Sequence, residues 1–167
     1  ELFRSLHRFV DFYLVGGTAL ALQIGHRLSV DLDLFTQEKL PANLLTKVKR
    51  IFHDCHVIVT YRSPEQLNLV VNDVKMTFFQ FPYPVVNEFI MFQEMAMADV
   101  QEIAAMKAFA IGKRLAYKDY IDWYYLLKEK HVDVQNVITL ASKKFGADFN
   151  DRQFLGQLVS FEDIRTQ

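Results

Sequence analysis

In the first half of the chain, apolar residues come in short blocks punctuated by glycines and polar pairs. Leu2, Leu6, Phe9 and Val10 recur at helical spacing, which predicts a short helix over residues 2–12. Phe12 to Val15 reads as a short buried strand that runs into Gly16-Gly17. Thr18 to Ile24 is rich in Ala, Leu and Gln, which favour helix, and Gly25 fits the left-handed position past its end. Val30 to Phe35 is the next strand, and Pro41 opens a helix at about 42–53. Cys55 to Arg62 is rich in β-branched residues and reads as a strand closed by Ser63-Pro64. Leu67–Val71 and Val74–Phe81 form a hairpin around Asn72-Asp73, after which Pro82 and Pro84 are expected to end the sheet.

From there the pattern is helical. Val100–Leu115, Tyr117–Lys130 and Val134–Phe145 each read as a helix, and the tail from Asp151 adds another. The chain therefore divides into an α/β core at residues 1–84 and a helical subdomain at 85–167, joined near Pro82–Asn87. Hydrophobic residues make up 51% of the sequence, fifteen of them Phe, which is ample material for a core. A net charge of -1 gives no overall field for nonspecific nucleic-acid binding. The single Cys55 excludes an internal disulfide and fits a reducing compartment. No apolar run is long enough to span a bilayer and no secretory leader is seen, so a cytoplasmic location is expected.

The chemistry gathers early. Gly16-Gly17-Thr18 sits at the mouth of the first core helix, where bare backbone can approach a phosphate and helix amides can hold it. Thr18 adds a hydroxyl or caps the helix. Asp31 and Asp33 follow on a strand, one residue apart, so they share a face. Two carboxylates that close are costly unless a positive charge lies between them, and a hard cation such as Mg²⁺ bridging to phosphates fits that need. This is the chemistry of nucleotidyl transfer. Arg27 stands between the helix and the acidic strand, where it can lean onto phosphate or pair with Asp31 or Asp33. Ser29 steadies the same loop. His53, Cys55 and His56 do not make a zinc site, because Cys55 and His56 fall on opposite faces of one strand. Lys47, Lys49, Arg50, Lys143 and Lys144 are candidates for a patch facing an RNA acceptor.

Two blocks resemble the nucleotidyltransferase family that includes the AbiEii and AbiGii abortive-infection toxins. The first is Leu14-Val15-Gly16-Gly17-Thr18-Ala19-Leu20-Ala21-Leu22 followed by Gly25 through Phe35. The second is Asp99, Ile103-Ala104-Ala105-Met106-Lys107, and Arg114 through Lys118-Asp119-Tyr120-Ile121-Asp122. The strand Val74–Phe79 running into Phe81-Pro82-Tyr83 is similar as well, so the likeness covers residues from about 12 to 127.

The resemblance implies an α+β fold: a polymerase-β-like nucleotidyltransferase core, a mixed sheet with flanking helices, followed by a helical C-terminal part. It implies Mg²⁺-dependent transfer of a nucleoside monophosphate from an NTP to a hydroxyl acceptor, tRNA or protein, with release of pyrophosphate. Asp31 and Asp33 would hold the metal, and Gly16, Gly17, Thr18, Arg27 and Ser29 would surround the phosphates. Lys107 would face the triphosphate, with Asp119 and Asp122 lining the cleft or pairing with Lys107 or Arg114. A cognate antitoxin is a further implied partner. The family pattern also calls for a third acidic residue on a neighbouring strand, where this chain has Thr77. Threonine supplies neither a full charge nor a base near neutral pH. Non-catalytic nucleotide binding and a toxin-like interaction module are therefore the alternatives to catalysis.

Overall fold

A computed structural model describes residues 2–111, 113 and 116–160. Among them one seven-stranded sheet forms, in the order β3-β4-β5-β2-β1-β7-β6. Its core strands are β1 (Tyr13–Val15), β2 (Leu32–Thr36), β3 (Val57–Arg62), β4 (Gln66–Val71) and β5 (Val74–Gln80). Between β1 and β2 lies α1 (Gly16–Ile24), and between β2 and β3 lies α2 (Leu44–Ile51). β1 runs antiparallel to β2, while β5 runs parallel to it, so the sheet is mixed.

Strand alternation sorts the two faces. Leu32 and Leu34, Leu67 and Leu69, and Met76 and Phe78 are buried on one side. They share a hydrophobic core with Leu6, Phe9, Val48 and Phe52, and the Phe9 and Phe78 rings lie 4.9 Å apart. The opposite face carries Asp33 and Phe35 on β2 and Thr77 and Phe79 on β5, all half-buried.

The helix expected over 2–12 is a 3₁₀ helix, Phe3–Arg8. Leu6 is its buried residue, and Phe9 and Phe12, also buried, follow it on the way into β1. The Asn72-Asp73 turn is as expected, with φ of 45° and 69°. Pro82 and Pro84 do not end the sheet. A hairpin of β6 (Ile90–Phe92) and β7 (Met95–Met97) follows, and β7 joins the far edge, parallel to β1. Its turn is Gln93-Glu94, with φ of 47° and 65°. Sheet residues therefore extend beyond the expected boundary at 84.

The helical half comprises α3 (Val100–Ile111), α4 (Tyr117–Lys128), α5 (Val134–Phe145) and α6 (Asp151–Val159). Gly25 ends α1 in the left-handed region at φ 64°. α3 is the central helix and packs against α1, α4, α5 and α6; small residues such as Ala104, Ala105 and Ala108 let its neighbours approach. Lys144 corrects the basic-patch expectation. It is buried, with Nζ 2.5 Å from both the Glu102 carboxylate and the Pro84 carbonyl. Glu102 also accepts from the Val86 and Asn87 amides. A buried charge needs this degree of satisfaction, and the network pins the linker after β5 to α3 and α5. Arg114 lies outside the described residues. Among the described residues no helix is long and apolar enough to cross a membrane.

Candidate functional site

The uncovered face of β2 and β5 opens into a cleft of about 670 Å³, roofed by α3 and by the start of α4. Clefts of this size suit ligands of nucleotide dimensions. Chain parity fills it. Arg27, Ser29, Asp31, Asp33 and Phe35 all line it. The alternating residues Leu28 and Val30 point to solvent, and Leu32 and Leu34 point into the core. The strand expected from Val30 begins only at Leu32, so Asp33 is on β2 and Asp31 just precedes it; both line the cleft.

The two glycines sit where β1 becomes α1, and each accommodates a side chain. Gly16 takes φ +72°, and a Cβ there would overlap Asp33 Oδ2. A Cβ on Gly17 would overlap the Arg27 guanidinium. Both glycines line the cleft, so their backbone is also open to a ligand. Thr18 does neither of the things expected of it. It is buried and lies behind the wall. Its hydroxyl donates to the Asp31 carbonyl and lies 3.0 Å from Ser29 Oγ, fastening the acidic loop to α1. The N-cap of α1 is Val15, with no side-chain cap.

Across the cleft, Lys107 of α3 is not a solvated lysine; it is 6% exposed. Its Nζ lies 2.9 Å from Asp119 Oδ1 and 2.6 Å from Asp122 Oδ2. Asp119 and Asp122 are three residues apart on α4 and so share a face. Asp119 lines the cleft beside Lys107. Asp122 stands behind them, fully buried, and acts as a hub. Arg27 grips it with Nε at 2.6 Å and Nη2 at 3.1 Å, and His26 Nε2 lies 2.5 Å from Oδ1. Burial alone would raise the Asp122 carboxyl. Arg27, then Lys107 and His26, outweigh it and hold the group down at about 2. The expected alternatives for Arg27 were phosphate, Asp31 or Asp33; its bidentate partner here is Asp122.

β5 lies parallel to β2 with Thr77 directly opposite Asp33, and Asn68 of β4 lies opposite Thr77. The position expected for a third carboxylate is thus in the cleft, and it is a threonine. Asp73 sits in the β4–β5 turn. The remaining walls are Phe35, Phe79, Phe81 and Phe109, with the exposed Lys75, Lys113 and Lys118 at the rim. Aromatic walls beside a charged floor suit a base and its phosphates. From the sequence, His26 in the Gly25-His26-Arg27 run is expected only to hydrogen-bond in the crossing loop, with no role as a base; its partner is Asp122 on α4.

Among the described residues no group of three or more His, Cys, Asp or Glu gathers around a common point. Asp31 and Asp33, which both line the cleft, are the paired carboxylates that a cation there would meet. Mg²⁺ is commonly held by one or two carboxylates together with substrate phosphates and water, so hard oxygen donors in pairs fit it.

Comparison with known proteins agrees with this fold. Residues 2–166 match the family model described as nucleotidyl transferase AbiEii toxin, type IV toxin–antitoxin system. An uncharacterized protein of Aquifex aeolicus is 33% identical over 160 residues, spanning 94% of this chain and 77% of that protein. Among solved structures, Helicobacter pylori JHP933 is similar with a TM-score of 0.61 at 19% identity, covering 95% of this chain and 86% of that one. MenT4, a nucleotidyltransferase toxin of Mycobacterium tuberculosis, is similar with a TM-score of 0.58 at 16% identity, covering 89% and 64% of the two chains. At these identities the structural likenesses speak for the fold.

Proposed function

The chain belongs to the AbiEii family of nucleotidyl transferase toxins, and from that premise we propose that the cleft transfers a nucleoside monophosphate from an NTP to a hydroxyl acceptor, tRNA or protein. The observation that carries the proposal is the placement of Asp31 and Asp33 in one cleft with Gly16, Gly17 and Lys107. Asp31 and Asp33 would hold Mg²⁺, which when bound supplies charge neutralisation at the phosphates. The Gly16–Gly17 backbone at the α1 N-terminus would take phosphate oxygens. Lys107 would offer its ammonium to the β/γ end, with Asp119 and Asp122 fixing its direction. Phe35, Phe79 and Phe81 would seat the base. By family resemblance a cognate antitoxin is proposed as the regulatory partner.

The test is calorimetric titration of the four NTPs, each with and without Mg²⁺. Binding of at least one NTP only when Mg²⁺ is present is expected. An absence of binding under every condition would sink the reading. Thr77 favours a second reading, nucleotide binding without transfer, because no third carboxylate is there to take the acceptor proton. Thr77→Asp separates the two. Its carboxylate would stand beside Asp33, and an increase of about tenfold in Mg²⁺ affinity is expected, on the scale of one added charge contact. A gain of transfer along with that affinity would assign the wild type to binding alone. Unchanged Mg²⁺ affinity would mean that Thr77 does not face the metal-binding carboxylates.

A further inference from the structure

We propose that His26 is a positioning residue: by donating from Nε2, it fixes the Asp122 carboxylate so that Arg27 and Lys107 are held in place at the cleft. The inference deepens the reading of the cleft as a nucleotide site and rests on it for its functional consequence.

A carboxylate offers about four acceptor sites. At Asp122 the Oδ1 atom takes His26 Nε2 and Arg27 Nε, while Oδ2 takes Arg27 Nη2 and Lys107 Nζ. All four are used. Two full positive charges already face this carboxylate, so a third adds little attraction. What His26 contributes is direction. Without it, Oδ1 retains only Arg27 Nε, and the carboxylate can turn about its terminal torsion, taking the guanidinium fork and the ammonium with it.

The surroundings of the ring fix its tautomer. The His26 side chain is fully buried and its ring lies 5.7 Å from that of Tyr125. Its Nδ1 is buried and has no hydrogen-bond partner among the described residues. A proton there would be a donor with no acceptor, which is costly, whereas a proton on Nε2 is met by Asp122. The consequence reaches the cleft because the Arg27 guanidinium lies against Gly17, and Lys107 lines the opposite wall.

The experiment compares wild type with His26→Phe, which keeps an aromatic ring but has no donor, and His26→Gln, whose amide reaches about as far as Nε2. Nitrogen-15 spectra of the full chain without nucleotide read the Arg27 Nε–H and the Lys107 ammonium. Titration with Mg²⁺ and inorganic tripolyphosphate reads the site. In wild type and His26→Gln the Arg27 signal is expected to be resolved and protected from exchange. In His26→Phe it should be lost, with tripolyphosphate affinity reduced about tenfold, the scale of one hydrogen bond to a charged group. His26→Asn, whose amide is too short, gives the same reading if the phenylalanine variant does not fold. Unchanged spectra and affinity in the variants without a donor would overturn the proposal. So would failure of glutamine to restore either signal at an unchanged melting temperature. A wild type that binds no polyphosphate overturns the nucleotide-site reading instead, while the spectra still decide the role of His26.

Discussion

Asparagine at Asp31 or at Asp33 is expected to reduce transfer by at least about 10²–10³-fold, the scale of removing one preorganised electrostatic contact from a reacting centre. The measurement is Mg²⁺-dependent incorporation of α-labelled nucleotide into acid-precipitable RNA or protein. The substitution keeps the shape of the side chain and removes one charge from a pair that lines one cleft. Folding should therefore be retained, and the melting temperature unchanged or slightly higher. This combination separates a metal-binding role from a structural one. A variant that melts like wild type and transfers at the wild-type rate would take the metal away from this pair. Asp33 is the stricter test, because its carboxylate lies against Gly16, and the amide NH₂ that replaces one oxygen meets the same tight space.

Alanine at Asp122 is expected to destabilise the protein by about 3–5 kcal/mol, the cost of breaking a buried ion pair by removing one partner. Asp122 is fully buried and faces Arg27, Lys107 and His26. Its loss leaves Lys107 with Asp119 among the described residues and takes from Arg27 its bidentate acceptor. Against a domain stability of about 5–15 kcal/mol this is a large fraction, read as a lower midpoint in urea. Acid titration supplies a second reading. The Asp122 carboxyl is lowered from 3.8 to about 2 in the folded state. A lowered folded value means that the unfolded chain binds the proton more readily, so this group stabilises the fold above the unfolded value. That contribution, on the order of 2 kcal/mol, is lost as pH falls through the folded value. The gap between wild type and Asp122→Ala should accordingly narrow from about pH 4 down to about pH 2. A gap that stays constant over that window would mean that the hub charge is not what the variant loses.

Local chemistry made some of this legible. The β1–α1–β2 unit could be read because a glycine pair, a helix-forming run and an alternating strand are each encoded within a few residues. Alternation placed Asp31 and Asp33 together for the same reason. The β6–β7 hairpin was hidden by its brevity. Its strands are Ile90–Phe92 and Met95–Met97, and its turn uses Gln93-Glu94 at positive φ without glycine or asparagine. The hub at Asp122 was hidden by distance along the chain, since its partners His26 and Arg27 lie 96 and 95 residues away. Lys144 looked like a wet lysine at the end of an amphipathic helix, and only the arrival of Glu102 from 42 residues upstream explains its burial. Thr18 looked like a cap because capping is what threonine does near a helix start, but its hydroxyl found the Asp31 carbonyl first.

The odd–even order from Arg27 to Phe35 has the character of a reading frame. Every odd side chain is spent on the cleft, while the even ones face solvent at Leu28 and Val30 and the core at Leu32 and Leu34. Substitutions can change one letter of this segment and leave the others in place. Loss of one residue within β2, Leu32–Thr36, would be a frameshift in space. With the far end of β2 held in register against β5, the side chains before the gap would swap sides, taking a carboxylate out of the cleft. Loss of two residues would restore the phase. The strand can therefore tolerate changes of length only in even steps.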